Sequence, residues 1–204
     1  MNNFDTFGNP LMPGKEHLGG CIVWGDPGTA AFSVWDRLIS DYGVRSMIDV
    51  GCGAGHSMDY FLERGVDAWG VEGFEAALSA AKNRSRIFEH DYGDGPFVPD
   101  TEYDLAWSCE FVEHVYEELS ENFLATFSKC RMVAMTHGVP GQPGYHHVNC
   151  QWPDYWIARM QSLGFEYLEQ ESLSLRSELD NLPPNLPPNH GCHVKNTLML
   201  FRKI

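Results

Sequence analysis

Three glycines and one glutamate carry the clearest chemical signal in this sequence. Gly51, Gly53 and Gly55 alternate directly after residues 46–50, an apolar run typical of a buried strand, and apolar residues at helical spacing follow them. Glycine lets the backbone bend sharply and lets a ligand approach, while the first N–H groups of a helix favour a carboxylate or phosphate. Glu72 ends the next predicted strand, where an acid can accept both hydroxyls of a ribose. The spacing predicts a site for a nucleoside-containing cofactor.

The spacing of the glycines distinguishes two kinds of cofactor site. Dinucleotide-binding proteins carry G-x-G-x-x-G, whereas residues 49–55 of this chain are Asp-Val-Gly-Cys-Gly-Ala-Gly. This stretch resembles the first motif of the class I S-adenosylmethionine-dependent methyltransferases, and Glu72, residues 90–92 and residues 103–110 follow in the order that the family uses. The resemblance covers about residues 45–137. It implies methyl transfer with S-adenosylmethionine as the cofactor.

The resemblance also implies roles in cofactor binding. The glycine loop would approach the methionine part, and Asp49 would receive its ammonium group or order the loop. Glu72 would take the ribose hydroxyls, Asp91 would accept from the adenine amino group with the next residue against the ring, and Ser108 and Cys109 would turn their carbonyls to the ammonium. An ordinary turn is the alternative at 91–92. The predicted cofactor-binding residues are Asp49, Gly51, Cys52, Gly53, Gly55, Glu72, Gly73, Asp91, Tyr92, Ser108, Cys109 and His114.

Histidines supply the candidate general bases. A nucleophile that keeps its proton at neutral pH needs a base, and histidine titrates in that range. His137 follows a predicted strand and is the first candidate, while His146 and His147 lie further along a loop rich in Gly and Pro. Each of the three could instead tie the loop together through backbone carbonyls. Glu110 completes the set of predicted catalytic residues.

A second cluster of polar residues has two interpretations. Glu110, Glu113 and His114 stand at i, i+3 and i+4 and would share one face of a helix. Such a face could bind a divalent cation, and some ubiquinone-pathway O-methyltransferases carry a similar E-x-x-E-H pattern. The commoner explanation is a helix that begins with acids at its positive end, with His114 near the cofactor. We therefore predict no metal site, and we expect a loop, not a zinc site, at residues 190–193.

Two further functions are compatible with a nucleotide-binding fold of this kind. One is a nicotinamide-dependent oxidoreductase, although the chain has neither the dinucleotide glycine spacing nor a Tyr-x-x-x-Lys pair. The other is a module that binds S-adenosylmethionine without catalysis. An open cavity beside the methyl group, lined by His137 and residues 140–149, would favour the enzyme, and a sealed pocket would favour the module.

Composition limits the partners and the location. The chain has 204 residues and a formal net charge of −14, which disfavours a polyanionic partner such as nucleic acid. No apolar run approaches the ~20 residues of a membrane helix, and no signal peptide opens the sequence. The six scattered cysteines indicate free thiols in a reducing compartment. We expect a cytoplasmic protein with a small-molecule acceptor, no membrane association and an oligomeric state that the sequence does not determine.

The elements that must position these residues follow from the apolar patterns. Strands and helices alternate, which implies parallel strands joined by right-handed crossovers with helices on both faces. The predicted fold is α/β, a Rossmann-like doubly wound, mostly parallel seven-stranded sheet, and the resemblance implies that its last strand is antiparallel. Strands are predicted over 46–50, 66–72, 86–89, 103–108, 132–135, 165–168 and 197–201, and helices over 29–42, 56–64, 74–83, 119–128, 153–163 and near 173–179.

The predicted domain, residues 29–204, is preceded by an irregular N-terminal arm over residues 1–28. The arm is rich in Gly and Pro and has little periodicity. Trp24 suggests that the arm packs on the domain, either as a covering of its surface or as a lid over the active site. Prolines predict a stiff loop over 183–189.

Overall fold

One seven-stranded sheet organises the computed structural model, which describes residues 4–180, 182, 185–187 and 189–204. The strands are β1 Ser46–Val50, β2 Asp67–Glu72, β3 Ile87–Glu89, β4 Tyr103–Ser108, β5 Cys130–Met135, β6 Phe165–Tyr167 and β7 Met199–Lys203. The α-helices are α1 Phe32–Ser40, α2 His56–Glu63, α3 Glu75–Ala80, α4 Ser120–Phe127, α5 Pro153–Ser162, α6 Glu169–Ser177 and α7 Cys192–Thr197. Single 3-10 turns lie at Glu16–Leu18, Arg84–Arg86, Val112–His114 and Glu117–Leu119.

The strand order is β3-β2-β1-β4-β5-β7-β6. All pairings from β3 to β5 are parallel, and β7 runs antiparallel to both β5 and β6. This confirms the predicted fold class, including the antiparallel last strand. The order reverses between β1 and β4, and ligands of such sheets bind at this switch point, outside the carboxyl ends of the strands.

Both faces of the sheet are covered. Along β4, Leu105 and Trp107 pack into the core on one face of the sheet, together with Trp35 of α1. The residue between them, Ala106, belongs to the core on the other face, where it packs with Phe123 of α4. Each buried aromatic or branched side chain contributes about 1.5–3 kcal/mol. Two cores therefore hold the sheet rigid beneath the loops at its carboxyl edge.

Several boundaries differ from the sequence-based expectations. α1 begins at Phe32, since the Thr29 hydroxyl donates to the Asp26 carbonyl within a turn before the helix. The stretch expected as a loop at 190–193 instead enters α7, because the Gly191 N–H donates to the carbonyl of Pro27, far away in sequence. As a result, Thr197 ends a helix and does not begin the last strand. Residues 183, 184 and 188 of the expected proline loop lie outside the described residues.

The N-terminal arm lies against the carboxyl edge of the sheet. Asp5 organises its first part, accepting hydrogen bonds from the side-chain amide of Asn9 at 2.9 Å and from the Gly20 N–H at 2.8 Å. Trp24 does not anchor the arm, since its side chain is 73% exposed. The contacts come instead from residues around Lys15 and Cys21, described below. Within the described residues, none of the helices has the length and apolar character needed to span a membrane.

Candidate active site

A cavity of about 940 Å³ opens at the carboxyl edge of the parallel strands. Its walls come from the arm, the turn after β1, the ends of β2 and β3, the segment after β4 and the loop 140–150. Twelve predicted site residues line it: Asp49, Gly51, Cys52, Gly53, Glu72, Gly73, Asp91, Tyr92, Cys109, Glu110, His114 and His147. The volume lies near the top of the range of about 300–1,000 Å³ that is typical of ligand pockets.

The turn after β1 has the backbone conformation that only glycine adopts easily. Gly51, Gly53 and Gly55 have φ values of 73°, 55° and 80°. A Cβ at Gly51 would overlap the ring of Phe111, and one at Gly53 would lie 3.1 Å from the Cys21 sulfur of the arm. Gly55 precedes the first residue of α2 and does not itself line the cavity. The loop is therefore closely covered from two sides.

Glu72 ties the glycine loop to the end of β2. Its Oε2 accepts the Gly53 N–H, and its Oε1 accepts the N–H groups of Gly73 and Phe74, each at 2.8 Å. Burial raises the pKa of Glu72, although these three hydrogen bonds act in the opposite direction. Each carboxylate oxygen can accept two hydrogen bonds, so Oε2 retains capacity toward the cavity.

Asp49 is the second carboxylate beside the loop. It is 2% exposed and accepts a hydrogen bond from the Ser57 hydroxyl in the first turn of α2. Burial raises the pKa of Asp49 to about 7, with a further contribution from the nearby Glu72 carboxylate, against the hydrogen bond from Ser57. A positively charged group in the cavity would favour the ionised form of both acids.

Asp91, at the far side of the cavity, is held by the arm. Its carboxylate lies 2.6 Å from the Lys15 amine and 3.0 Å from the His17 ring, and it accepts the Gly93 N–H at 2.7 Å. Burial alone would raise the pKa of Asp91, but these hydrogen bonds outweigh burial and lower it. Tyr92 packs edge-on against Phe111 and bonds Thr126 through its hydroxyl.

Four predicted site residues do not line the cavity: Gly55, Ser108, His137 and His146. Ser108 is buried and its carbonyl accepts the Thr136 N–H, which continues the sheet ladder. His137 is 1% exposed, its Nδ1 faces the Gly138 carbonyl oxygen at 3.3 Å, and burial lowers its pKa. A position at a strand end does not determine on which side a side chain lies, and His137 lies within the protein interior.

The histidines of the loop 140–150 take different positions. His146 has φ 50°, and its Nδ1 lies 3.0 Å from the His114 carbonyl oxygen, so it fastens the loop. His147 lines the cavity, and its ring packs edge-on against that of His114 at 5.0 Å. Of the three histidines considered as bases, His147 is the one at the cavity wall.

Glu110 takes part in a connection that the sequence did not predict. Glu110 has φ 53°, and its Oε2 lies 3.2 Å from Nδ1 of His193. The other ring nitrogen of His193, Nε2, lies 3.4 Å from the Asp26 carboxylate. The hydrogen bond with Asp26 raises the pKa of His193, against the effect of burial. The three residues join the arm, the segment after β4 and α7 across the cavity. The sequence pointed to this connection only through the pair of histidines within residues 190–193.

Glu110, Glu113 and His114 do not share one face of a helix. The segment forms one 3-10 turn, not an α-helix, and Glu110 points to His193. His147 takes its place: ligand atoms of Glu113, His114 and His147 all lie within 4.8 Å of one another. Burial raises the pKa of Glu113 to about 8, helped by the charge of Glu110, and burial lowers that of His114 to about 4, helped by the neighbouring histidines.

Comparison with known proteins matches part of this chain to a family. Residues 48–138 match the family model described as a methyltransferase domain. Comparison with curated proteins found no match. The fold is shared with a sugar N-methyltransferase, KedS8, from a Streptoalloteichus species, at 15% identity and a TM-score of 0.63, covering 100% of this chain and 98% of that one.

Two further solved structures share the fold. CalS10, an amino pentose methyltransferase from Micromonospora echinaspora, has 13% identity and a TM-score of 0.60, with 85% and 90% of the two chains covered. A TehB-like methyltransferase from Corynebacterium glutamicum has 16% identity and a TM-score of 0.59, with 86% and 88% covered. The family match over residues 48–138, together with the order of strands and motifs, supports the resemblance to the class I S-adenosylmethionine-dependent methyltransferases.

Proposed function

We propose that the protein transfers the methyl group of S-adenosylmethionine to an oxygen or nitrogen nucleophile of a small or medium-sized acceptor. The observation that carries this proposal is one continuous cavity that reaches from the glycine loop to His147. Its volume of about 940 Å³ is large for one ligand and leaves room for a second molecule beside the cofactor. Methyl transfer requires this arrangement, since nucleophile, methyl carbon and departing sulfur must lie in line.

The cofactor would occupy the glycine-loop end of the cavity. The ribose hydroxyls would use the acceptor capacity that remains on Glu72, and the ammonium group would lie near Asp49, whose ionised form it would stabilise. The adenine would lie toward Asp91 and Tyr92. In this arrangement the sulfonium group faces the segment after β4.

The acceptor would occupy the opposite end, against Glu110 and His147. These are the two predicted catalytic residues that line the cavity. His147 Nδ1 lies 3.3 Å from the Gln142 carbonyl oxygen, so this nitrogen carries the proton and Nε2 is the free acceptor. The net charge of −14 supports a small-molecule acceptor over nucleic acid. Six free cysteines support a cytoplasmic location.

The N-terminal arm would act as a lid over the bound cofactor. Lys15 and His17 reach Asp91, and the Tyr145 hydroxyl of the loop 140–150 donates to the Glu16 carbonyl at 2.5 Å. The arm thus touches both the adenine side and the acceptor side of the cavity. A lid that connects the two sides would exclude water from the transfer step.

Two measurements test the proposed function. Calorimetry should show one S-adenosylmethionine bound per chain and far weaker binding of NAD; absence of binding, or equal preference for NAD, would refute the assignment. A screen of hydroxyl- and amine-bearing acceptors, followed by mass spectrometry for a gain of one methyl group, tests transfer. Binding without transfer to any acceptor, including molecules that co-purify with the protein, would support a non-catalytic module.

A further inference from the structure

The three side chains Glu113, His114 and His147 form a compact cluster beside the cavity. Their ligand atoms lie within 4.8 Å of one another. Ligands about 2.1 Å from a shared cation lie roughly 3–4 Å apart, so small side-chain rotations would bring all three onto one ion. His114 and His147 line the cavity, and Glu113 lies behind them.

The cluster contains buried polar atoms without hydrogen-bond partners. Glu113 is 0% exposed, and among the described residues neither of its carboxylate oxygens has a partner. His114 Nδ1 is likewise buried and unpartnered within the described part of the chain. Buried polar groups are nearly always paired, and a buried carboxylate without a partner is especially costly. A ligand that pairs with both the carboxylate and the imidazole would remove this cost.

The backbone around the cluster is already fixed. The N–H groups of Val148 and Asn149 donate to the Glu113 carbonyl at 2.9 and 3.0 Å, so the loop that carries His147 is attached to the turn that carries Glu113. The contact of His147 Nδ1 with the Gln142 carbonyl orients the ring and leaves Nε2, which lies against Gly144, as the nitrogen available to a cation. Metal-binding histidines are commonly oriented by such a second contact.

We propose that Glu113, His114 and His147 bind one divalent transition-metal cation at the wall of the cavity. Two imidazoles and one carboxylate suit Zn²⁺, Mn²⁺ and similar ions, and three protein ligands leave coordination positions open. The His114 and His147 sides of the ion face the cavity. The open positions are therefore accessible to a bound molecule.

The cation would also narrow the class of acceptor, and this part of the inference rests on the proposed function. It would lie at the end of the cavity that we assign to the acceptor. A divalent ion binds acceptor oxygens and lowers the pKa of a coordinated hydroxyl. An acceptor with a hydroxyl nucleophile beside a second oxygen would fit this site better than an amine.

Cation binding to the full chain, measured without cofactor or acceptor, tests the site. Tag-free protein is stripped with a chelator and titrated with Zn²⁺ in a calorimeter and with Co²⁺ in an absorption spectrometer. We expect one cation per chain and a visible Co²⁺ band. Glu113→Gln and His147→Gln should each weaken binding more than about 100-fold, whereas His56→Gln, at a histidine outside the cluster whose Nε2 contacts the Val23 carbonyl, should bind as the parent does.

Each other outcome refutes the site. The proposal fails if the parent binds no cation, or if Glu113→Gln and His147→Gln bind as tightly as His56→Gln, which would place the ion elsewhere. If Glu113→Gln does not fold, as judged by circular dichroism, the partly exposed His147 decides the result. If the protein binds no cation, the test of S-adenosylmethionine binding is unaffected. If it binds no cofactor, the cation titration is unaffected.

Discussion

The glycine-loop end of the cavity and its histidine end are built in different ways. At the first, Glu72 pairs with backbone N–H groups of its own neighbours and of the adjoining loop, and Asp49 pairs with Ser57. At the second, distant segments meet, and Glu113 has no partner for its carboxylate among the described residues. The first end is held in place by its own hydrogen bonds and keeps one acceptor position on Glu72, while in the described part of the second end the Glu113 carboxylate is wholly unpartnered.

This difference indicates that the two ends of the cavity serve different ligands. A fixed, self-paired end suits a cofactor, which is the same molecule in every turnover, because the site can be organised before the ligand arrives. An end assembled from loops suits an acceptor, since loops vary without disturbing the sheet. The variants below test whether the two ends are energetically separate.

Glu72→Ala should have the largest effect, because Glu72 accepts hydrogen bonds from three backbone N–H groups and is the proposed partner of the ribose hydroxyls. We expect affinity for S-adenosylmethionine to fall roughly 100-fold and the free energy of unfolding to fall by about 1–3 kcal/mol. Calorimetry and thermal denaturation measure the two quantities. Glu89→Ala is the matched control, since Glu89 lies opposite Glu72 in β3 and its exposed carboxylate accepts a hydrogen bond from Arg84. Equal losses in both variants would contradict the proposed role.

Gly51→Ala tests the junction between the two ends. Gly51 has φ 73°, and a Cβ there would overlap the ring of Phe111. We expect the free energy of unfolding to fall by about 2–3 kcal/mol, from backbone strain and from displacement of the ring. Gly65→Ala is the control, because Gly65 has φ 79° but open space around it, and should lose only about 1 kcal/mol. Chemical denaturation measures the free energy of unfolding of both variants. Equal losses would show that the Phe111 ring moves aside without an energetic cost.

His147→Ala tests the acceptor end. Turnover should fall at least 10-fold, about 1.4 kcal/mol, with affinity for S-adenosylmethionine unchanged. Steady-state kinetics and calorimetry separate the two effects. Val148→Ala, at an exposed neighbour in the same loop, should leave both unchanged. Loss of cofactor affinity in His147→Ala would show that the two ends are coupled, which would contradict their energetic separation.

The connection from Asp26 through His193 to Glu110 should make the stability of the folded protein depend weakly on pH. The pKa of His193 is raised in the folded state, so the stability that it contributes is present below its unfolded value of about 6.5 and is lost as pH rises through the folded value. We expect His193→Gln to be less stable than the parent by about 0.2–1 kcal/mol at pH 6, with the difference shrinking by pH 9. Thermal denaturation across this range measures it. A difference that grows with pH would mean that His193 is neutral in this contact.

Local patterns predicted the glycine end well. Alternating glycines after an apolar strand require positive φ, and all three adopt it. The histidine end was predicted less well. His137 was the first candidate for a base and lies inside the protein, and the E-x-x-E-H pattern formed a 3-10 turn instead of the face of an α-helix. Side-chain direction after a strand depends on what the neighbouring layer leaves open, which a sequence pattern does not contain.

The amino-acid sequence by itself predicted the fold class and the glycine turn, because apolar periodicity and glycine conformation act over short stretches of chain. Its motifs also carried the resemblance to a family and so the predicted cofactor. Only the tertiary structure decided which histidines meet the cavity, that His193 joins Asp26 to Glu110, and that His147 comes beside Glu113 and His114. Those contacts join residues far apart in sequence. Their geometry is set by how the arm, the loop 140–150 and α7 pack on the finished sheet.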